Sequence, residues 1–112
     1  MQVDIHSLGF RLTPVMSGYA RKRIDYALSF AAAHVSRLTM RLLDMSGGHG
    51  DDDKCCQIEL RIKGAPLILI EDVETDVYAA VDRATERARR ALMRRLGHER
   101  QWNLEQQEKG VK

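Results

Sequence analysis

The alternation of apolar and polar residues along the chain predicts four β-strands. Val3 and Ile5 alternate with polar neighbours and predict a short first strand. Residues 35–43 and 55–63 alternate in the same way, and the apolar run over residues 67–70 predicts a fourth strand. Because only turns separate the last three strands, we expect them to form an antiparallel meander.

Two stretches with apolar residues at three- and four-residue steps predict amphipathic helices. The first covers residues 14–32, with Thr13 as N-cap and proline at the first helical position. The chain is expected to return to helix between Asp72 and Asp76, where Thr75 or Asp76 supplies the second N-cap. The order β-α-β-β-β-α predicts an α+β fold, a four-stranded sheet with two helices packed on one face.

The second helix is expected to end at Gly97, since glycine commonly terminates helices. Beyond it the sequence is polar and without periodicity, apart from Trp102 and Leu104. The chain has 112 residues, about the length of one domain. We therefore predict one domain over residues 1–97 and a polar, flexible C-terminal tail over residues 98–112.

Composition favours a globular protein of the cytoplasm. Apolar residues make up 44% and charged residues 30%, an ordinary balance for a folded domain. The longest apolar run, residues 65–70, is far shorter than a membrane span, and the N-terminus lacks the pattern of a signal peptide. Cys55 and Cys56 are adjacent and build no disulfide framework, which fits a reducing compartment.

Charge is segregated along the chain although the net charge is only +2. Residues 11–41 and residues 82–100 each contain an excess of basic side chains, whereas residues 44–76 contain an excess of acidic ones. The acidic stretch includes the turn-rich segment 46–53, which ends in three aspartates. Such segregation suggests one surface that meets an anionic partner and another that does not.

The most specific feature is a stripe of arginines on the second helix. At 100° per residue, the steps of four, three and four residues place four side chains in one narrow stripe. We call this the arginine stripe, and its members are Arg83, Arg87, Arg90 and Arg94. Only Asp82 and Glu86 are nearby acids on the same helix. The planar guanidinium of arginine can donate two hydrogen bonds to phosphate oxygens, so the stripe favours contact with nucleic acid. The alternative is a solvated helix face without a binding role.

No arrangement of residues indicates an enzyme. The histidines (His6, His34, His49 and His98) are scattered, and neither cysteine has a candidate general base nearby in sequence. His49 beside the aspartates matches no calcium loop, so no metal or cofactor is expected. The tyrosines (Tyr19, Tyr26 and Tyr78) are interpreted as residues at the edge of the core rather than as platforms for base stacking.

Three segments resemble the ribosome hibernation factors, the family once called sigma-54 modulation proteins. They are Met1-Gln2-Val3-Asp4-Ile5-His6, Leu12-Thr13-Pro14 and, above all, Asp76-Val77-Tyr78-Ala79-Ala80-Val81-Asp82. In that family an aspartate–hydrophobe–Tyr-Ala-Ala-Ile-Asp segment opens a basic last helix. The resemblance covers about residues 1–97 and is that of a short form without a second, dimerising domain.

The resemblance implies binding to the small ribosomal subunit in the channel used by mRNA and tRNA anticodon arms, where the protein inhibits translation and preserves idle ribosomes. The residues it implies in rRNA binding are Arg21, Lys22, Arg23, Arg83, Arg87, Arg90 and Arg94. Tyr78 and Asp82 match the motif but are equally compatible with a structural role. The alternative is a divergent interaction or regulatory module of the same fold that no longer binds ribosomes.

Overall fold

The computed structural model describes residues 1–45 and 54–111, with side chains as far as residue 97. In chain order the elements are β1 (Gln2–Leu8), α1 (Pro14–Leu28), β2 (Val35–Asp44), β3 (Lys54–Ile62), β4 (Ile68–Glu74) and α2 (Val77–Val111). A 3-10 turn, Ser29–Ala31, follows α1. The order confirms the predicted β-α-β-β-β-α fold. The acidic residues 51–53 lie outside the described residues.

The four strands form one mixed sheet in the order β1-β2-β3-β4. β1 runs parallel to β2, with Ile5 opposite Met40, and the other two pairs are antiparallel. A parallel pair needs a crossover connection, which α1 provides between β1 and β2. The antiparallel meander predicted for the last three strands is therefore confirmed, and β1 and β4 are the edges of the sheet.

The core lies between one face of the sheet and the two helices. On β3, Ile58 and Leu60 are buried, whereas Gln57 and Glu59 on the opposite face are partly exposed. Residues of α1 and α2 complete this apolar layer, since a sheet buried on one face needs a helical cover. The largest fully buried members of the core cluster are Ile24, Leu28, Leu38, Met40, Leu42, Ile58, Leu60 and Leu92.

Both helices begin at the N-caps that the sequence predicts. The Oγ1 atom of Thr13 accepts a hydrogen bond from the backbone N–H of Met16 at 3.2 Å. At α2, Oδ1 of Asp76 accepts from the backbone N–H of Tyr78 at 3.3 Å, so Asp76 rather than Thr75 is the cap. Each cap satisfies an N–H group that has no partner within its helix.

The predicted end of the fourth strand at residue 70 is wrong, because β4 continues to Glu74. The return to helix after Asp76 is as expected. Asp72 and Glu74 stand opposite Cys56 and Lys54 of β3, so the antiparallel ladder extends through this acidic segment. Polar residues at alternate positions weaken the apolar signal of a strand, and the sequence does not show that these two carboxylates have partners elsewhere.

The expected helix end at Gly97 is also wrong, since α2 continues to Val111. A glycine inside a helix costs only about 1 kcal/mol relative to alanine. The sequence after Gly97 contains three Glu and three Gln residues, which are good helix formers. The division into a domain over residues 1–97 and a tail over 98–112 remains a prediction. Within the described ranges, no helix has the length and apolar sequence needed to cross a bilayer.

The register of β3 predicts stability losses of very different size for two substitutions on opposite faces of the strand. Leu60→Ala removes a fully buried side chain and should lower the free energy of unfolding by about 2–5 kcal/mol through lost burial and a cavity. Gln57→Ala, on the other face, should change it by less than about 0.5 kcal/mol. Urea denaturation of both variants measures the difference, and equal small effects would contradict the assigned faces of β3.

Candidate nucleic-acid interface

The arginine stripe runs along the flank of α2 that faces the edge strand β4. Arg83, Arg87 and Arg90 are exposed at the surface, whereas Val81 and Ala84 of the same helix are buried against the sheet. Arg94 lies beside the apolar residues 67–70 at the start of β4, with which it lines a shallow hollow. The structure therefore brings the four predicted side chains to one surface, away from the core face of α2.

The first half of the stripe is ion-paired with acids of β4. Arg83 Nε lies 2.9 Å from Glu74 Oε1 and 4.0 Å from Asp72 Oδ1. Arg87 Nη1 donates to Asp72 Oδ2 at 3.1 Å and also to the backbone carbonyl oxygen of Glu71. These contacts attach α2 to the edge strand of the sheet and cover part of that edge.

These pairs were not predicted, because the sequence pattern indicates a fourth strand that ends at residue 70, before Asp72 and Glu74. In the strand they alternate with exposed Glu71 and Val73, and so face the helical side of the sheet. The Asp72 side chain is only 13% exposed. A carboxylate so poorly hydrated requires charged or hydrogen-bonding partners, and the two arginines supply them.

The second half of the stripe, Arg90 and Arg94, makes fewer ion pairs with the rest of the fold. Arg90 Nε lies 3.3 Å from Glu86 Oε1, one turn earlier on the same helix, and Glu86 also pairs with Arg89. Arg94 makes no ion pair with any side chain that the structure describes. Exposed pairs between residues four apart on a helix contribute only about 0.3–0.5 kcal/mol, so Arg90 is readily available to another anion.

The basic residues of α1 divide between two surfaces. Arg21 and Lys22 line a hollow with Met1 and Val3 at the β1 side of the helix. Neither has an ion pair within the described part of the chain. Arg23 instead faces α2, where its Nε lies 3.0 Å from Asp82 Oδ1 but without hydrogen-bond geometry. The predicted rRNA-binding residues thus form two groups on opposite flanks of the helical layer, with Arg23 between them.

The residues of the Tyr-Ala-Ala motif hold the two helices together. Asp82 accepts a hydrogen bond from the Tyr19 hydroxyl at 2.6 Å, and this bond is the main reason why the pKa of Tyr19 is raised. The ring of Tyr78 packs edge to face on that of Tyr19, with centroids 4.9 Å apart. Ala80 is fully buried and Ala79 partly so, where small side chains allow close packing. These contacts support the structural interpretation of the motif.

The interpretation of Tyr26 as a residue at the edge of the core is wrong. Its side chain is 82% exposed, and the guanidinium of Arg23 lies 5.9 Å from its ring centroid. Helical spacing places Tyr26 on the same side of α1 as Tyr19, but Tyr26 lines a solvent-accessible groove between the helices with Arg23, Ala27, Glu86 and Arg89. Tyr19 and Tyr78 do lie at the edge of the core, as expected.

Neither cysteine has the environment of a nucleophile. Cys56 lies on the core face of β3, and burial raises the pKa of its thiol to about 12. Cys55 points to the other face, between Leu43 and Val73 of the neighbouring strands, and is also buried, with a raised thiol pKa. Within the described residues, no group of three His, Cys, Asp or Glu side chains is arranged to hold a metal ion.

Comparison with known proteins assigns the chain to a family. The family model described as "Sigma 54 modulation protein / S30EA ribosomal protein" matches residues 3–100, and the chain therefore belongs to that family. This confirms the resemblance to the ribosome hibernation factors. No curated protein sequence matches the chain.

Two solved structures share the fold at low sequence identity. A ribosomal subunit interface protein from Coxiella burnetii superposes with a TM-score of 0.73 at 13% identity, covering 87% of this chain and 99% of the other. The N-terminal domain of Protein Y from Thermus thermophilus gives a TM-score of 0.68 at 20% identity, covering 84% and 98%. At such identities the likeness establishes the fold alone.

The contact between Arg87 and Asp72 predicts that one member of the stripe contributes to stability. Arg87→Gln removes the nearest cation from the mostly buried carboxylate of Asp72. It should lower the free energy of unfolding by about 1–3 kcal/mol. The matched change Arg90→Gln removes only an exposed pair and should cost less than about 1 kcal/mol. Urea denaturation distinguishes them, and adding Asp72→Asn to Arg87→Gln should recover part of the loss.

The raised thiol pKa values predict that both cysteines are inert in the folded protein. The thiolate is the reactive form, so a raised pKa keeps the thiol neutral and unreactive until the pH approaches the higher value. At pH 8, iodoacetamide should label neither cysteine in the native protein and both in denaturant, as measured by mass spectrometry. Fast labelling of Cys56 in native protein would contradict the buried position that the structure gives it.

Proposed function

We propose that this protein binds the small ribosomal subunit at the mRNA and tRNA channel through rRNA phosphates, inhibits translation and so preserves idle ribosomes. The proposal assigns it no catalysis and no cofactor, and places it in the cytoplasm with the ribosome as its partner. It is supported by family membership and by the structural likeness to a ribosomal subunit interface protein.

The observation that carries the proposal is an arginine-rich surface on the helical side of the domain. In the second half of the stripe, Arg90 has a weak partner on its own helix and Arg94 has none among the described side chains. Arg21 and Lys22 provide a second basic group across the helical layer. We propose these four side chains as the main phosphate contacts. Arg23 and Arg87 form ion pairs within the fold, with Asp82 and Asp72. Arg83 is more exposed but also has an ion-pair partner, Glu74.

This arrangement requires the RNA to span both helices. The two basic groups lie on opposite flanks, so a strand or helix of RNA that touches both must cross the groove between α1 and α2. A single extended anionic surface, such as the small subunit presents, satisfies this requirement better than a short isolated strand. The contacts are to phosphates, which position a protein on RNA without reading the sequence.

One observation favours the alternative, a regulatory module of the same fold that no longer binds ribosomes. Arg83 and Arg87 are neutralised by Glu74 and Asp72, so the stripe offers less free positive charge than the sequence suggests. Under this alternative the arginines attach α2 to the sheet, and the partner is another protein.

Sedimentation of the protein with purified bacterial ribosomal subunits tests the proposal. Wild-type protein should pellet with small subunits at low salt, and its affinity should fall steeply as salt rises, because phosphate binding releases counterions. The double variant Arg90→Gln/Arg94→Gln should bind more weakly and flatten the plot of log affinity against log salt by about two units. Cell-free translation should be inhibited by wild-type protein and less by this variant.

The control removes two positive charges from elsewhere. Arg61 and Lys63 are exposed near the end of β3, outside the stripe, and neither makes an ion pair with a described residue. Arg61→Gln/Lys63→Gln should leave the salt slope unchanged. If wild-type protein does not pellet with small subunits even at low salt, the alternative module is the better interpretation.

A further inference from the structure

The two acids of β4 that contact the stripe differ in how firmly they hold their arginines. Arg87 bridges a carboxylate that is only 13% exposed and a backbone carbonyl group. Arg83 is 68% exposed, and its closest partner, Glu74, is 28% exposed. The Arg83–Glu74 pair therefore lies at the solvent boundary, whereas the Arg87–Asp72 pair is part of the packed contact between helix and sheet.

An anion from outside can replace Glu74 more easily than Asp72. Solvent-exposed ion pairs contribute little to stability, so releasing Arg83 from Glu74 has a small cost. Releasing Arg87 would leave the poorly hydrated carboxylate of Asp72 without its nearest cation, which is unfavourable. A phosphate group offers a guanidinium the same paired oxygens as a carboxylate does. A phosphate that binds the Nε side of the Arg83 guanidinium would therefore compete with Glu74.

We propose that Glu74 is an affinity-limiting residue, whose carboxylate competes with RNA phosphate for the guanidinium of Arg83. The inference rests on the proposed function, since it requires that the stripe meet ribosomal RNA. It divides the stripe by role: Arg87 belongs to the fold, Arg90 and Arg94 are available to RNA, and Arg83 exchanges between Glu74 and a phosphate. Glu74 thereby lowers the affinity of the whole domain for anionic surfaces.

Glu74→Gln tests the proposal, because it removes the charge while keeping the size and hydrogen-bonding ability of the side chain. The affinity for purified bacterial small subunits at low salt should rise about three- to tenfold, the effect of freeing one guanidinium and removing one nearby negative charge. The salt slope should steepen by about one unit, since one more arginine contacts a phosphate. A melting curve checks that the fold is retained.

Glu71→Gln is the matched control, since it removes the same charge from the same strand. Glu71 lies on the other face of the sheet, where its Oε2 accepts a hydrogen bond from Gln57 Nε2 at 3.0 Å. It makes no contact with the stripe through its side chain in the described structure. The affinity should change by less than about twofold, and the salt slope should be unchanged.

A second comparison tests the role of Arg83 itself. In an Arg83→Gln background, Glu74→Gln should produce no gain in affinity, because the guanidinium that it would free is absent. An equal gain in both backgrounds would mean that Glu74 acts only through general repulsion of RNA, and would overturn the proposal.

The remaining outcomes separate this inference from the proposed function. If wild-type protein binds small subunits and Glu74→Gln behaves like Glu71→Gln, the inference fails while the proposed function stands. Weaker binding by folded Glu74→Gln would show that the acid orients Arg83 for RNA, which is the opposite of competition. If no variant binds subunits at low salt, the proposed function fails, and the inference fails with it.

Discussion

The ion-paired contact between α2 and the edge strand β4 determines both the packing of the last helix and the charge that remains available on it. Arg87 joins the Asp72 carboxylate and the Glu71 carbonyl group, so the helix is attached to the sheet by its flank as well as by its apolar face. An edge strand with unpaired backbone groups can associate with other chains, and this contact covers part of that edge. The same guanidinium is then no longer free for another anion.

Charge counted along a sequence therefore differs from charge displayed on a surface. The acidic and basic segments of this chain meet in the fold: Arg83 and Arg87 pair with acids of β4, and Arg41 lies 3.8 Å from Glu59. Arg37 pairs with Asp4 of β1. The positive surface that remains is smaller and more local than the sequence suggests. Its position on two flanks of the helical layer follows from the order of the elements, because α1 covers the β1 side and α2 the β4 side.

The fold could be predicted from the sequence because period-two alternation and helical periodicity are local signals. Leu60 alternates with Glu59 and Arg61, and no distant residue is needed to assign its face. The end of β4 was harder to predict, since Asp72 and Glu74 pair in the strand with arginines that lie 9–15 residues away in the sequence. For the candidate site, the exposure of the stripe was predictable from its helical spacing. Its partial neutralisation was not, because that depends on tertiary contacts.

The motif that identifies the family is mainly a packing device, and this limits what family membership says about binding. Asp82 accepts from Tyr19 and pairs with Arg23, and Tyr78 packs on Tyr19, so the motif fixes how α2 crosses α1. A protein can retain these contacts, and with them the fold, while the side chains on the outer flanks change. The fold is in fact shared with structures of only 13% and 20% identity. The case for ribosome binding therefore depends on the arginines of α2 and on how many remain free, rather than on the motif itself.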